Sequence, residues 1–121
     1  MTRNTPIGIG LRAPHVEEVL LTKPCASAFE VYSEDYMGAA ASWLDALDNI
    51  RTDYPLSLHG VGLSIASADA LNMGYLRRLL TLIRRYDPLR VSDHLAWCSV
   101  DIRYFSDQLE TAQYCASGVT R

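Results

Sequence analysis

The chain alternates short apolar runs with longer segments in which apolar residues recur every three or four positions. Short apolar runs predict buried β-strands, and the longer period predicts amphipathic helices. The predicted strands cover about residues 7–11, 28–32, 56–58 and 89–92, and the predicted helices cover about residues 14–22, 39–51 and 70–86. The order is therefore βαβαβαβ, which favours a parallel sheet with right-handed helical crossovers.

The two longer helices each have one apolar face that can pack on this sheet. In the second helix we expect the inward residues to be Ala40, Trp43, Leu44, Leu47 and Ile50. In the third helix we expect them to be Leu71, Tyr75, Leu79, Leu82, Ile83 and Tyr86. The arginines of the third helix, Arg77, Arg78, Arg84 and Arg85, are expected to face solvent and not to form an anion-binding patch.

Two α/β architectures fit this order of elements. The starts of successive strands are about 21, 28 and 33 residues apart, which brackets the roughly 31 residues per unit of an eight-unit barrel. Four strands would then form a partial barrel with two open edges. A small doubly wound domain would instead cover both faces of the sheet with helices. The hydrophobic pattern leaves both possibilities open.

Composition excludes several classes of protein. The chain has 121 residues, of which 49% are hydrophobic and 21% are charged, so it can form one folded domain. Its formal charge of −3 gives no general attraction to nucleic acid or to anionic lipid. No signal-type or membrane-spanning apolar run is present, so we expect a cytoplasmic protein without a membrane partner. We expect free thiols at Cys25, Cys98 and Cys115.

Polar residues that can carry chemistry cluster where the predicted strands end. They are Arg12 after the first strand, Glu30, Tyr32, Glu34 and Asp35 in and after the second, His59 after the third, and Asp93 and His94 after the fourth. Active sites of parallel α/β proteins lie at this edge of the sheet.

The two histidines of this cluster carry the most information. His59 and His94 follow neighbouring strands, so both imidazoles can reach one metal ion, although a structural hydrogen bond remains the alternative for each. Asp93 can orient an imidazole or cap the turn. His15 fits better as a residue of the first helical turn than as a ligand.

Motifs for other chemistries are incomplete. Gly8 and Gly10 lie inside the first strand, and the pair Gly60 and Gly62 lacks the third glycine of a dinucleotide fingerprint. The sequence also lacks a P-loop, a nucleophile elbow and an HExxH motif, which argues against a nucleotide-binding enzyme or a small hydrolase. We expect Gly60 and Gly62 to permit a tight turn or a close backbone approach beside His59.

Four segments together resemble a known bacterial family. They are GIGLRAPH at residues 8–15, FEVYSEDY at 29–36, YPLSLHGVGLS at 54–64 and VSDHLAW at 91–97. In this order they are similar to the opening part of multinuclear non-heme iron oxidative enzymes, a family that includes the oxygenase subunit of methanobactin biosynthesis. The resemblance covers about residues 7–109.

The resemblance implies a fold, a cofactor and a reaction. The family has a xylose-isomerase-like TIM barrel, so this chain would form a partial TIM barrel, about (βα)₃β₄ with parallel strands. His59 and His94 match two histidines that ligate iron, of which the full-length family holds two or three ions. The family oxidises cysteine residues of ribosomally made precursor peptides with dioxygen, usually with a partner protein that presents the peptide.

Two departures from the family pattern limit these expectations. Tyr32 and Asp35 stand where the family commonly has His and Asn, and the later metal ligands of the family come from strands beyond this resemblance. We therefore expect residues 1–109 to be the N-terminal half of a TIM-barrel domain, residues 110–121 to be a divergent tail, and the chain to be a truncated member that is inactive alone. The alternative is a non-catalytic fragment or interaction module that associates with itself through its open sheet edges.

Overall fold

A four-stranded parallel sheet forms the centre of the fold. The computed structural model describes residues 7–100, 103–104 and 110–111 of the chain. Strands neighbouring in sequence also neighbour in space, and all three pairs are parallel. The strands are β1 (Gly8–Gly10), β2 (Ala28–Tyr32), β3 (Leu56–Gly60) and β4 (Arg90–Asp93). The predicted parallel βαβαβαβ order is confirmed.

Four helices connect these strands, and four short strands follow them. The helices are α1 (Val16–Thr22), which follows a 3₁₀ turn at Ala13–His15, α2 (Ser33–Tyr36), α3 (Ala41–Asp53) and α4 (Met73–Tyr86). The short strands are β5 (Ala96–Trp97), β6 (Ser99–Val100), β7 (Arg103–Tyr104) and β8 (Glu110–Thr111). β5 pairs with β8 and β6 with β7, both antiparallel. Of the predicted divergent tail, only β8 lies among the described residues.

Two helix faces differ from the prediction. Helix α4 begins at Met73 and not near residue 70, because the Asn72 side chain caps it by accepting a hydrogen bond from the Tyr75 amide at 3.0 Å. Leu71 therefore precedes the helix and is 46% exposed, so its predicted inward position is wrong. Trp43 of α3 is also more exposed than predicted, at 40%. Helix α2 was not predicted because four residues are too few to show a helical period.

The sheet has one apolar face and one polar face. On β3, Leu56 and Leu58 are buried, whereas Ser57 and His59 are only half-buried. The alternation follows from the two-residue period of a strand. The buried side chains of β2 and β3 join residues from all four helices in one core, which consists of Leu11, Val16, Val19, Phe29, Val31, Tyr36, Leu47, Ile50, Tyr54, Leu56, Leu58, Tyr75, Leu79, Leu82 and Tyr86.

All four helices therefore contribute to the core on one face of the sheet, as in one half of a barrel wall. A doubly wound domain would place helices against both faces. The described part of the chain thus has the architecture of a partial TIM barrel.

Three further sequence expectations concern membrane-spanning helices, the cysteines and the edges of the sheet. No described helix is both long enough and apolar enough to cross a bilayer. Cys25 is an exposed free thiol and Cys98 a buried one, as predicted, whereas Cys115 lies outside the described residues. Ile9 on β1 and Val91 on β4 are 51% and 41% exposed. Self-association through these two strands remains a prediction.

Gly60 is a position where the fold requires the absence of a side chain. A Cβ atom at Gly60 would lie 2.6 Å from the Tyr75 hydroxyl and still closer to the Asp93 carboxylate. At Gly10, by contrast, nothing lies within 4 Å of the same atom.

We expect Gly60→Ala to lower the free energy of unfolding by about 1–3 kcal/mol, because Tyr75 and Asp93 must move and lose their hydrogen bonds. Gly10→Ala is the matched control and should change it by less than about 0.5 kcal/mol. Urea unfolding of both variants measures the difference. Equal effects of the two substitutions would contradict the close approach.

Candidate metal centre

The two imidazoles predicted to share a site lie side by side. His59 is near the end of β3, and His94 directly follows β4. Their ring centroids are 4.9 Å apart and their planes meet at 47°. Two imidazoles bound to one ion at a metal–nitrogen distance of about 2.1 Å have centroids about 5 Å apart, so this separation fits a shared ion.

The strand ends differ slightly from the prediction. His59 lies within β3, and Asp93 is the last residue of β4, because the parallel ladder continues as far as the pairing of Gly60 with Asp93. The sequence placed both residues after their strands. His59 has register partners on both neighbouring strands, Tyr32 on β2 and Ser92 on β4, so the backbone that carries it is more firmly fixed than that of a loop residue.

The neighbouring strand supplies the contact that orients His59. Ser92 is the partner of His59 across the β3–β4 ladder, and its Oγ lies 2.8 Å from His59 Nδ1. When Nδ1–H donates to this hydroxyl, Nε2 carries the lone pair that a metal ion needs. The register of the two strands therefore fixes which ring nitrogen contacts Ser92 and leaves Nε2 free of that contact.

Tyr32 and Arg12 extend the site toward β1. Tyr32 is the register partner of His59 on β2, and the two ring centroids are 6.0 Å apart. Arg12 donates a hydrogen bond to the Tyr32 hydroxyl at 2.9 Å, and its guanidinium carbon lies 3.9 Å from the Tyr32 ring centroid. Stacking of a guanidinium on an aromatic ring is favourable. Arg12 therefore places a positive charge at the same carboxyl edge of the sheet as the histidines.

Glu34, near this edge of the sheet, is a carboxylate that accepts several hydrogen bonds. Its Oε1 accepts hydrogen bonds from the amides of Val61 and Gly62, both at 2.8 Å, and from the Tyr75 hydroxyl. Burial raises the pKa of Glu34, but the bonds from Tyr75 and the backbone outweigh burial and bring the pKa below its usual 4.5. Glu34 is accordingly ionised at neutral pH.

Asp93 lies on the other side of the same tyrosine. The Tyr75 Oη atom is 3.2 Å from Asp93 Oδ2. Burial raises the pKa of Asp93, and the charge of Glu34 raises it further, against hydrogen bonds that lower it. Burial and the two carboxylates also raise the pKa of Tyr75, so its phenol stays protonated and can donate.

The second oxygens of both carboxylates, Glu34 Oε2 and Asp93 Oδ1, are buried without a hydrogen-bond partner. Within the described ranges, no three His, Cys, Asp or Glu side chains are grouped closely enough to hold a metal ion by themselves. The residues present thus fit two positions of a metal site.

The other predicted site residues, Glu30 and Asp35, are exposed. Glu30 is exposed on the polar face, where it lines a cavity of about 310 Å³, and it sits two residues before Tyr32 toward the amino end of β2. Asp35 on α2 is exposed. His15 is exposed at the end of the 3₁₀ turn, 3.8 Å from Glu18, in agreement with its prediction as a helix-turn residue.

Three residues near the site were not predicted to have a role there. Tyr75 and Ser92 gave no signal, because one matched the apolar period of a helix and the other ended an apolar strand. Ser64 has a positive φ of 57°, and its buried Oγ accepts bonds from the amides of Cys98 at 2.9 Å and Ser99 at 3.2 Å. The strained backbone after β3 is therefore at a serine and not at the neighbouring glycines.

Comparison with known proteins places this chain in a family. The sequence model of the family described as "RiPP precursor modification enzyme MbnB/TglH/ChrH" matches residues 6–114. The chain belongs to this family.

Curated relatives are longer than this chain. A UPF0276 protein of Acaryochloris marina is 47% identical over 107 residues, which are 88% of this chain and 38% of that protein. A UPF0276 protein of Rhizobium meliloti is 42% identical over 84% of this chain and 33% of its own length. A third, of Caulobacter vibrioides, is 44% identical over 78% of this chain and 34% of its own length. The chain thus spans about a third of the length of these relatives.

The lowered pKa of Glu34 predicts a pH-dependent contribution to stability. A group whose pKa is lower in the folded state stabilises the fold above its unfolded pKa, and this contribution disappears as the pH falls through the folded pKa. We expect Glu34→Gln to be less stable than the natural chain at pH 7, by about 1–3 kcal/mol. The difference should shrink as the pH falls below 4.5. Urea unfolding at pH 7 and at stepwise lower pH measures it, and a constant difference would contradict the assignment.

Proposed function

We propose that this chain carries two histidine ligands of an iron centre in an enzyme that oxidises cysteine residues of ribosomally made precursor peptides. The observation that carries the proposal is the pair of imidazoles, His59 and His94, at the carboxyl end of two neighbouring parallel strands with centroids 4.9 Å apart. Membership of a peptide-modifying family supports the class of substrate.

The chain's own residues have distinct parts in this proposal. His59 would bind through Nε2 while Ser92 holds Nδ1, and His94 would bind from the adjacent strand. Bound iron would supply electron exchange with dioxygen, which no protein side chain provides. Arg12, fixed on Tyr32, would attract a carboxylate or the backbone carbonyls of the peptide at this edge of the sheet. A separate protein that presents the peptide and a cytoplasmic location complete the proposal.

Two neutral imidazoles are an incomplete set of iron ligands. They leave the charge of a divalent ion uncompensated, and oxygen-activating iron sites of other families combine histidine with carboxylate ligands. Since the curated relatives are more than twice as long as this chain, we assign the remaining ligands to residues beyond those described. Iron bound by this chain alone should therefore be weakly held and rich in bound water.

We expect Co²⁺, used as an air-stable substitute for Fe²⁺, to bind the isolated chain with a dissociation constant no tighter than about 10 µM, and less tightly at pH 5 than at pH 7.5 because imidazoles become protonated. His59→Ala and His94→Ala should each abolish the saturable binding. His15→Ala is the matched control, since His15 is exposed and outside the site, and should bind as the natural chain does. Isothermal titration calorimetry measures all four proteins.

Loss of binding in the His15→Ala control, or unchanged binding in both site variants, would remove the case for these two ligands. Stoichiometric binding that survives a strong chelator would show that the ligand set is already complete in this chain.

The proposal also predicts the catalytic competence of this chain. The isolated chain, loaded with Fe²⁺, should show no enzymatic oxygen-dependent modification of a cysteine-containing precursor peptide, because the charge-balancing ligands are missing. The same chain extended with the C-terminal two thirds of a family barrel should modify the peptide, as seen by mass spectrometry. Modification by the unextended chain would show that the further ligands are dispensable.

A further inference from the structure

We propose that Glu34 and Tyr75 are positioning residues that hold the ends of β3 and β4 in the arrangement that brings the His59 and His94 rings together. The inference rests on the proposed function in one respect, because ring alignment affects activity only if the rings bind metal. The alignment itself can be tested without metal.

One oxygen atom of Glu34 accepts hydrogen bonds from the backbone that follows β3. Oε1 accepts the amides of Val61 and Gly62, each at 2.8 Å, and these are the first two residues after the strand. A carboxylate that accepts two successive amides fixes the direction in which the chain leaves the strand. His59 lies two residues before the first of these amides, so the direction of its backbone is fixed at the same time.

Tyr75 links Glu34 to the end of β4. Its hydroxyl donates to the shared Oε1 atom of Glu34 and lies 3.2 Å from Oδ2 of Asp93, the last residue of β4 and the neighbour of His94. The first turn of α4, which presents Tyr75, is itself fixed because the Asn72 side chain accepts the Tyr75 amide. Glu34 and Tyr75 therefore join α2, α4 and the ends of the two strands that bear the histidines.

Gly60 allows the Tyr75 hydroxyl and the Asp93 carboxylate to approach the backbone of β3. The positions of the Tyr75 hydroxyl and the Asp93 carboxylate leave no space for a Cβ atom at Gly60, so both groups lie directly against the backbone next to His59. A larger residue would push these groups away and separate the two strand ends from their common support.

The arrangement is unfavourable as a device for stability alone. Two carboxylates contact the hydroxyl of one phenol, and each has a second, buried oxygen without a hydrogen bond. Burial of unpartnered polar atoms costs free energy, and apolar side chains of similar size would avoid that cost. An unfavourable free energy of this kind, next to two neighbouring imidazoles, is typical of a functional arrangement.

The test compares ring proximity in the metal-free chain. Selective labelling of histidine allows the nuclear Overhauser effect between the His59 and His94 rings to be measured, and the natural chain should show it at a centroid distance of 4.9 Å. Glu34→Ala and Tyr75→Phe should lose it, whereas Glu34→Gln should retain it because Gln keeps an acceptor oxygen at the same place. Tyr54→Phe is the matched control: it removes another hydroxyl bond, to the Pro24 carbonyl, outside the site.

Metal binding supplies the second measurement. Loss of groups that support metal ligands weakens metal binding by about 10- to 100-fold, so Glu34→Ala and Tyr75→Phe should bind Co²⁺ that much less tightly, and Glu34→Gln and Tyr54→Phe should bind as the natural chain does. The visible spectrum of bound Co²⁺ should change only in the first two variants.

The outcomes separate this inference from the proposed function. Retention of the ring contact in folded Tyr75→Phe and Glu34→Ala overturns the positioning role, as does its loss in Tyr54→Phe. If Glu34→Ala does not fold, Tyr75→Phe decides, since it removes a single oxygen. If the natural chain binds no Co²⁺ but the ring contact depends on Glu34 and Tyr75 as described, the proposed function fails and the positioning role stands.

Discussion

The central strand β3 is the constraint on which the site depends. Leu56 and Leu58 must face the helices, because almost none of their surface is exposed to water. The two-residue period of a strand then places Ser57 and His59 on the opposite, polar face. Any slip of one residue would exchange these faces, so the burial of two leucines determines where the imidazole lies. The register between β3 and β4 also orients this imidazole, since it sets Ser92 beside His59.

The polar end of the sheet places buried charge beside the apolar core. The leucines and the tyrosine rings supply apolar burial, while Glu34 and Asp93 hold charge and unpartnered oxygens near the same strand ends. The raised pKa of Asp93 and the lowered pKa of Glu34 reflect the same crowding, with hydrogen bonds dominating at Glu34 and burial dominating at Asp93. One carboxylate thus stabilises the arrangement at neutral pH and the other weakens it.

The sequence predicted those features of the fold that the periodicity of its apolar residues encodes. The strands, their parallel order and the proximity of His59 and His94 follow from apolar runs and from the rule that strand ends share one edge of a sheet. The role of the Tyr75 hydroxyl could not be predicted, since an aromatic residue at a helical core position has the same pattern whether or not its hydroxyl reaches a polar group. The hydrophobic pattern alone also left open the choice between a partial barrel and a doubly wound domain, which depends on the face that the helices cover, and only the family resemblance favoured the barrel.

The distribution of charge explains why this part of a barrel would supply neutral ligands. Glu34 already accepts three hydrogen bonds through one oxygen, two of them from backbone amides, and Asp93 contacts the same tyrosine, so one oxygen of each carboxylate is already engaged within the chain. His59, by contrast, uses only one nitrogen in the Ser92 contact. In the proposed enzyme the described strands would therefore supply alignment and imidazoles, and the carboxylates that bind iron and set its potential would have to come from strands beyond them.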